Sequence, residues 1–135
     1  MPIINIWLRA GTDSAYRRAL TDGVHRAMNE TLRTPQDDFF AVVHELDEEH
    51  FLFDPNYFDI PRTERFCMVQ IFFNSRPAVV KERLYQAIAD RLEQAPGLAR
   101  TDLMINIAEV SPEGWWLEGR RIDPASGTDA RMSAR

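Results

Sequence analysis

A chain of 135 residues, 44% apolar and 27% charged, is one domain by length and ordinary globular composition, large enough to bury a core without staples. Its net charge of −5, with Glu45, Asp47, Glu48 and Glu49 clustered, argues against nucleic acid as a partner, because phosphate binding wants a basic surface. No apolar run approaches the length of a membrane span and no secretory leader precedes the first apolar stretch, so the expectation is a cytoplasmic protein with no membrane partner.

The chain starts Met1-Pro2, and the small penultimate residue implies removal of Met1, which leaves a secondary amine at Pro2. Ile3-Ile4-Asn5-Ile6-Trp7-Leu8 follows, a β-branched apolar run that reads as a core strand. An amine fixed to the end of such a strand is rigid and partly desolvated, which lowers its pKa by disfavouring the charged form. The reference α-amino value is already only about 8, so a modest shift suits it to general acid/base work. Against this stands the plain fact that many chains begin Met-Pro.

Gly11-Thr12-Asp13-Ser14 is a turn able to cap a helix, and Tyr16, Leu20, Val24, Ala27 and Met28 give the stretch from Ala15 to about Leu32 an apolar stripe. Phe39 to Leu46 reads as a second strand. From Asp47 to Arg65 the chain is irregular, and its Phe51, Phe53, Tyr57 and Phe58 predict a loop packed against something. Phe66 to Phe73 is a third strand, holding Cys67 as a buried, inert thiol that has no disulfide partner. Ser75-Arg76-Pro77 opens a second helix striped by Val80, Leu84, Ile88 and Leu92. Ala95-Pro96-Gly97 ends it, and Leu103 to Ala108 is a fourth strand. His44 falls in a strand and reads as a structural residue; His25, His44, His50 and Cys67 show no metal-ligand spacing. Residues 123–135, rich in Pro, Ser, Gly, Asp and Arg, read as a disordered tail.

The second half repeats the apolar pattern of the first at a constant offset of 64 residues: Tyr16 matches Val80, Leu20 Leu84, Val24 Ile88, Met28 Leu92, Phe40 Met104 and Glu45 Glu109. Two β-α-β units, about 2–47 and 66–111, therefore make one domain spanning 2–122. The predicted fold is α+β, a four-stranded sheet with two helices on one face. The other face, left bare, would expose an apolar patch, which argues for oligomerisation. Polar residues present in only one half are the better candidates for chemistry. Pro2 matches Phe66 and Arg76 matches Thr12, so the fold demands neither; Asp38 recurs as Asp102, which points to a structural duty as well.

Pro2-Ile3-Ile4, Pro35-Gln36-Asp37-Asp38, Phe53-Asp54-Pro55-Asn56-Tyr57 with Arg62, Asn74-Ser75-Arg76-Pro77 and Trp115-Trp116-Leu117-Glu118-Gly119-Arg120 together resemble the tautomerase superfamily, and within it the branch that includes malonate semialdehyde decarboxylase. The resemblance covers roughly residues 2 to 122. It implies a homotrimer, no metal or organic cofactor, a small carboxylic acid substrate, and a site built around the terminal proline. It also implies catalytic roles for Pro2 as acid or base, Arg76 as carboxylate clamp and Asp38 as orienting group. Two departures stand out. The decarboxylase pattern has a second arginine where this chain has Ala78, and Trp116-Leu117-Glu118 stands where serine, phenylalanine and glycine are more common. Arg62, Arg120 and Arg121 are the candidates to replace the missing arginine.

A guanidinium binds a carboxylate bidentately and stays charged, so Arg76 would fix a substrate without entering the proton traffic. Its bland alternative is a solvated charge at a helix start. Trp115, Trp116 and Leu117 are candidates to wall the substrate site, and equally to cover the sheet or fill a subunit contact. Three functions follow: a cofactor-independent tautomerase of small enol or keto acids, a decarboxylase or hydratase on the same scaffold, and a non-catalytic trimeric binding protein.

Overall fold

The computed structural model describes residues 2–117 and Ala125. Expectations for Met1, for Glu118, Gly119, Arg120 and Arg121, and for all of the 123–135 tail except Ala125, lie outside the described residues.

Four strands, β1 (Ile3–Arg9), β2 (Ala41–Leu46), β3 (Cys67–Asn74) and β4 (Leu103–Val110), form one sheet in the order β2-β1-β3-β4. β1 runs parallel to β2 and antiparallel to β3, and β3 runs parallel to β4, so each repeat is a parallel pair and the two pairs meet at the centre. Between the strands of each pair lies a helix, α1 (Ser14–Leu32) or α2 (Ala78–Gln94), and the two helices pack side by side on the same sheet face.

Strand periodicity decides which residues meet the helices. Ile4, Ile6 and Leu8 of β1 and Cys67, Val69, Ile71 and Phe73 of β3 are buried and pack with Leu20, Val24 and Met28 of α1 and Leu84, Ile88 and Leu92 of α2. The stripe read from the sequence is therefore the core, except that Tyr16 packs at its edge and Val80 is only partly buried outside it. Asp13 caps α1 by accepting the Tyr16 N–H at 2.7 Å. Where the helices cross, α1 carries Gly23, because a Cβ there would stand 2.7 Å from Cδ2 of the buried Leu92.

Three details differ from the sequence reading. β2 begins at Ala41 and not Phe39. The Phe40 carbonyl still accepts the Ile4 N–H at 2.8 Å, but Phe39 leaves the sheet to lean on His25, ring centroids 4.5 Å apart. In the 47–65 loop Phe51 and Phe53 pack on Phe66, whereas Tyr57 and Phe58 point outward, 57% and 78% exposed. The helix-free sheet face is not wholly apolar. Asn5, Gln70 and Asn106 are aligned across β1, β3 and β4 and form a polar row, with Gln70 donating to Asn106 at 2.9 Å and His44 bonded to Asn5 at 3.0 Å. Trp7, Met68 and Met104 flank this row on one side, and Ile3, Phe72 and Ala108 on the other. His44 also stacks flat on Trp7, which accounts for it as a structural residue.

Candidate active site

Strand pairing gathers three distant segments at one end of the sheet. Pro2 precedes β1 with its side chain fully buried. The antiparallel pairing of Ile3 with Phe72 sets this end of β1 against the end of β3, where Asn74-Ser75-Arg76-Pro77 turns into α2. The parallel pairing of Ile4 with Ala41 sets it beside the entry to β2, just past Asp38, which is 9% exposed. Pro2, Asp38 and Arg76 thus share one end of the sheet.

Arg76 is half-buried, and its placement is built from its own turn. Nη1 donates to the carbonyls of Asn74 at 3.1 Å and Ser75 at 3.0 Å, and the guanidinium lies 5.9 Å from the Phe73 ring centroid. Nε and Nη2 make no hydrogen bond among the described residues, and no carboxylate there pairs with the group. One planar edge is left to donate twice to an incoming carboxylate. Behind it, Glu109 is held below the usual carboxylate range by Lys81, then by the Ser75 hydroxyl and the Arg76 backbone N–H. The same arrangement recurs in the other half, where Glu45 accepts from Thr12 at 2.8 Å and pairs with Arg17 at 3.2 Å. Glu109 and Lys81 are thus parts of the repeated frame. The Arg76 head group is not.

After β4 a short turn at Pro112–Gly114 brings Trp115 back over this end, where its indole N–H donates to Asn74 Oδ1 at 2.7 Å. Trp116 does not join it within the chain, being 80% exposed, and Leu117 is 36% exposed. Asn74 entered the sequence reading only as part of the Asn74-Ser75-Arg76-Pro77 stretch and, unlike Arg76, was given no role of its own. A signal was available: its repeat partner is Ala10, so the amide, like the arginine, belongs to one half only.

The opposite end of the sheet is the pseudosymmetric counterpart, and there the groups Asp102, Arg9 and Arg62 are committed to the fold. Asp102, the partner of Asp38, accepts the Thr63 N–H and the Thr63 hydroxyl, each at 2.7 Å. Arg9 donates to the Phe51 carbonyl and stacks 4.4 Å from the Phe53 centroid. A cavity of about 360 Å³ remains there, lined by Thr12, Asp13, Tyr16 and Arg65 among others. Burial pushes the Tyr16 phenol up, and the nearby Arg65 opposes that shift. Arg62 also sits at this end, donating to the Tyr57 and Ile60 carbonyls. It is separated from Pro2 by the length of β3, roughly 20 Å at the usual strand rise, so within one chain it does not supply the arginine missing at Ala78. Burial pushes the Cys67 thiol up to about 12, in keeping with an inert core residue. Among the described residues no group of three His, Cys, Asp or Glu side chains is arranged to hold a metal, and no helix is long and apolar enough to cross a membrane.

A family profile described as a tautomerase enzyme matches residues 38–117, and a second of the same description matches residues 2–59. The probable tautomerase YusQ of Bacillus subtilis (strain 168) is 30% identical over 116 residues, covering 85% of this chain and 91% of that protein. Among solved structures, an FG41 malonate semialdehyde decarboxylase inhibited by 3-bromopropiolate superposes with a TM-score of 0.79 at 28% identity, over 85% of this chain and 88% of that one. A second malonate semialdehyde decarboxylase, described as having decarboxylase and hydratase activities, gives a TM-score of 0.82 at 20% identity, over 87% and 92%. A fused 4-OT symmetric trimer gives 0.71 at 15%, over 98% and 99%, which is a likeness of fold alone. The chain belongs to the tautomerase superfamily of enzymes, in the branch that resembles malonate semialdehyde decarboxylase.

Proposed function

We propose that the protein is a cofactor-independent tautomerase of small enol and keto carboxylic acids, working as a homotrimer with Pro2 as its acid/base group. The observation that carries this reading is the convergence at one end of the sheet of a buried Pro2, Asp38 and an Arg76 whose Nε–Nη2 edge is uncommitted among the described residues. Once Met1 is removed, the Pro2 nitrogen is a secondary amine on a rigid strand. Arg76 grips the substrate carboxylate through Nε and Nη2. Pro2 then moves the proton: in ketonisation the enol O–H proton is lost as a proton is delivered to the adjacent carbon. Asp38 orients the amine or a water beside it, and Trp115 covers the substrate. The work is done by positioned groups whose protons are exchanged with solvent.

The half-exposed row of Trp7, Met68 and Met104 with the amides beside it supports assembly of copies through the sheet face, with the fused 4-OT trimer as the pattern. A second reading is favoured by the malonate semialdehyde decarboxylase likeness. A protonated Pro2 would polarise a carbonyl while Asp38 acts on water or the carboxylate, giving decarboxylation or hydration of a three-carbon acid. Ala78 in place of a second arginine weighs against it.

The test is ketonisation of phenylenolpyruvate by the mature protein, a Met1-retaining form and Pro2→Ala. Retaining Met1 turns the nitrogen into an amide and should remove the proton-transfer contribution, about 10²–10⁴-fold. Pro2→Ala keeps a terminal amine and should lose less. Equal turnover by all three would make Pro2 a strand start and nothing more.

A further inference from the structure

Two contacts of one residue join the parts of this site. The Asn74 carbonyl accepts from Arg76 Nη1 at 3.1 Å, and the Asn74 side-chain oxygen accepts the Trp115 indole N–H at 2.7 Å. We propose that Asn74 is a positioning residue that fixes the aromatic cover at a set distance from the carboxylate clamp, and so determines which carboxylic acids fit between them. The proposal rests on the functional reading above and deepens it.

The mounting on each side of Asn74 is rigid. Phe73, one residue earlier, is buried in the core, and Asn74 itself is still paired in β3, opposite Val110 of β4. Arg76 is followed by Pro77, whose φ is −57°, and its backbone N–H is held by Glu109. On the other side, the turn carrying Trp115 presses on the end of β4: a Cβ at Gly114 would stand 2.7 Å from Val110 Cγ1. The Trp115 backbone is thereby placed, but its indole still needs a partner to choose a rotamer. Asn74 Oδ1 supplies it. The other half of the fold shows that no turn requires this amide. With Ala10 and Thr12 in place of Asn74 and Arg76, the strand still leads into α1. Among the described residues Trp116 has no such anchor and stays 80% exposed, whereas Trp115 is fixed.

Fixing the indole matters for a substrate that extends beyond its carboxylate. A short acid such as pyruvate is held by Arg76 and does not depend on where the ring lies. An acid with a bulky substituent, such as phenylpyruvate, packs on that ring. Without the indole hydrogen bond the ring has several rotamers to lose on binding, and the cost falls on the larger ligand.

The experiment measures dissociation constants of pyruvate and phenylpyruvate for wild type, Asn74→Ala, Trp115→Phe and the double variant, alongside the three tryptophan indole N–H signals in ¹H–¹⁵N spectra. Asn74→Ala should move one indole signal, weaken phenylpyruvate about tenfold, the scale of one lost hydrogen bond, and change pyruvate less than about threefold. Trp115→Phe removes the donor and keeps a ring, so the double variant should be no weaker than the worse single one. An unmoved indole signal, equal weakening of both acids, or multiplying effects in the double variant overturns the role of Asn74. Wild-type protein that binds neither acid refutes the functional reading instead, and the specificity role with it.

Discussion

Asp38 and Asp102 occupy matching positions in the two repeats, and each donates its backbone N–H to the residue three before it, Pro35 at 3.1 Å and Ala99 at 2.9 Å. Their duties should nevertheless separate under substitution. Asp102 is 3% exposed and its two carboxylate oxygens hold Thr63, which tethers the end of the 47–65 loop to the start of β4. A hydrogen bond to a charged group contributes about 1.5–3 kcal/mol, so Asp102→Ala should cost about 3–5 kcal/mol, a large part of a domain's total of roughly 5–15 kcal/mol. Asp102→Asn keeps one acceptor for the Thr63 N–H and should cost about 1–2 kcal/mol. With a urea slope of about 1–3 kcal/mol per molar, the alanine variant should lose at least about 1 M of its unfolding midpoint. Asp38→Ala should lose less than half of that, and should instead lower kcat/KM for phenylenolpyruvate by about tenfold or more. The assays are urea unfolding at fixed protein concentration and ketonisation kinetics on the same samples. Equal losses of stability with unchanged turnover in Asp38→Ala would make both aspartates structural. An unmoved midpoint in Asp102→Ala would show that the loop tether counts for nothing.

Arg76→Ala should lower kcat/KM for a carboxylate substrate by about 2–4 kcal/mol, the range for a lost charge-paired contact, and a folded variant with unchanged kinetics removes Arg76 from the site. Cys67, its thiol pushed up to about 12 by burial, should resist a thiol reagent at pH 8 in the native protein and react at once in denaturant. Fast native labelling would mean that β3 opens locally. Light scattering at micromolar concentration should report about three times 15.6 kDa, and a stable folded monomer would exclude the trimer.

The frame was legible because its signal is periodic. Leu20, Val24 and Met28, and Leu84, Ile88 and Leu92, are spaced as a helix must space residues that face one sheet, and the offset of 64 located the second copy. Strand ends were read less well. Phe39 looks like a strand residue by type, but Asp38 and Pro35 form a turn just before it, and the ring finds His25 in place of a cross-strand neighbour. The mixed character of the bare sheet face was hidden for another reason. Asn5, Gln70 and Asn106 are scattered through the sequence, and only the register makes them a row. The link from Arg76 to Trp115 was hidden likewise: Asn74 precedes one closely, but lies 41 residues from the other, and no local pattern encodes that distance.

On the proposed reading only the Pro2 end of the duplicated fold is functional, which needs an asymmetry, and the two ends do differ in what each must hold. At the Phe66 end the chain continues upstream into the 47–65 loop, and several donors and acceptors are spent on it: Asp102 on Thr63, Arg9 on Phe51, Arg62 on Tyr57 and Ile60. Thr12 serves Glu45, the frame carboxylate, and presents no charge of its own. At the Pro2 end the corresponding frame carboxylate, Glu109, is satisfied by Lys81, the Ser75 hydroxyl and the Arg76 backbone, which leaves the Arg76 side chain outside the frame. Nη1 still braces the turn, but the Nε–Nη2 edge has no partner among the described residues and would be open to a ligand on the proposed reading, with Asn74 holding Trp115 beside it. The proposed chemistry would then sit where the repeat's structural needs are met by other groups. The substitutions that separate activity from stability should then be those at Pro2, Asp38, Asn74 and Arg76, and not those at Phe66, Asp102, Ala10 and Thr12.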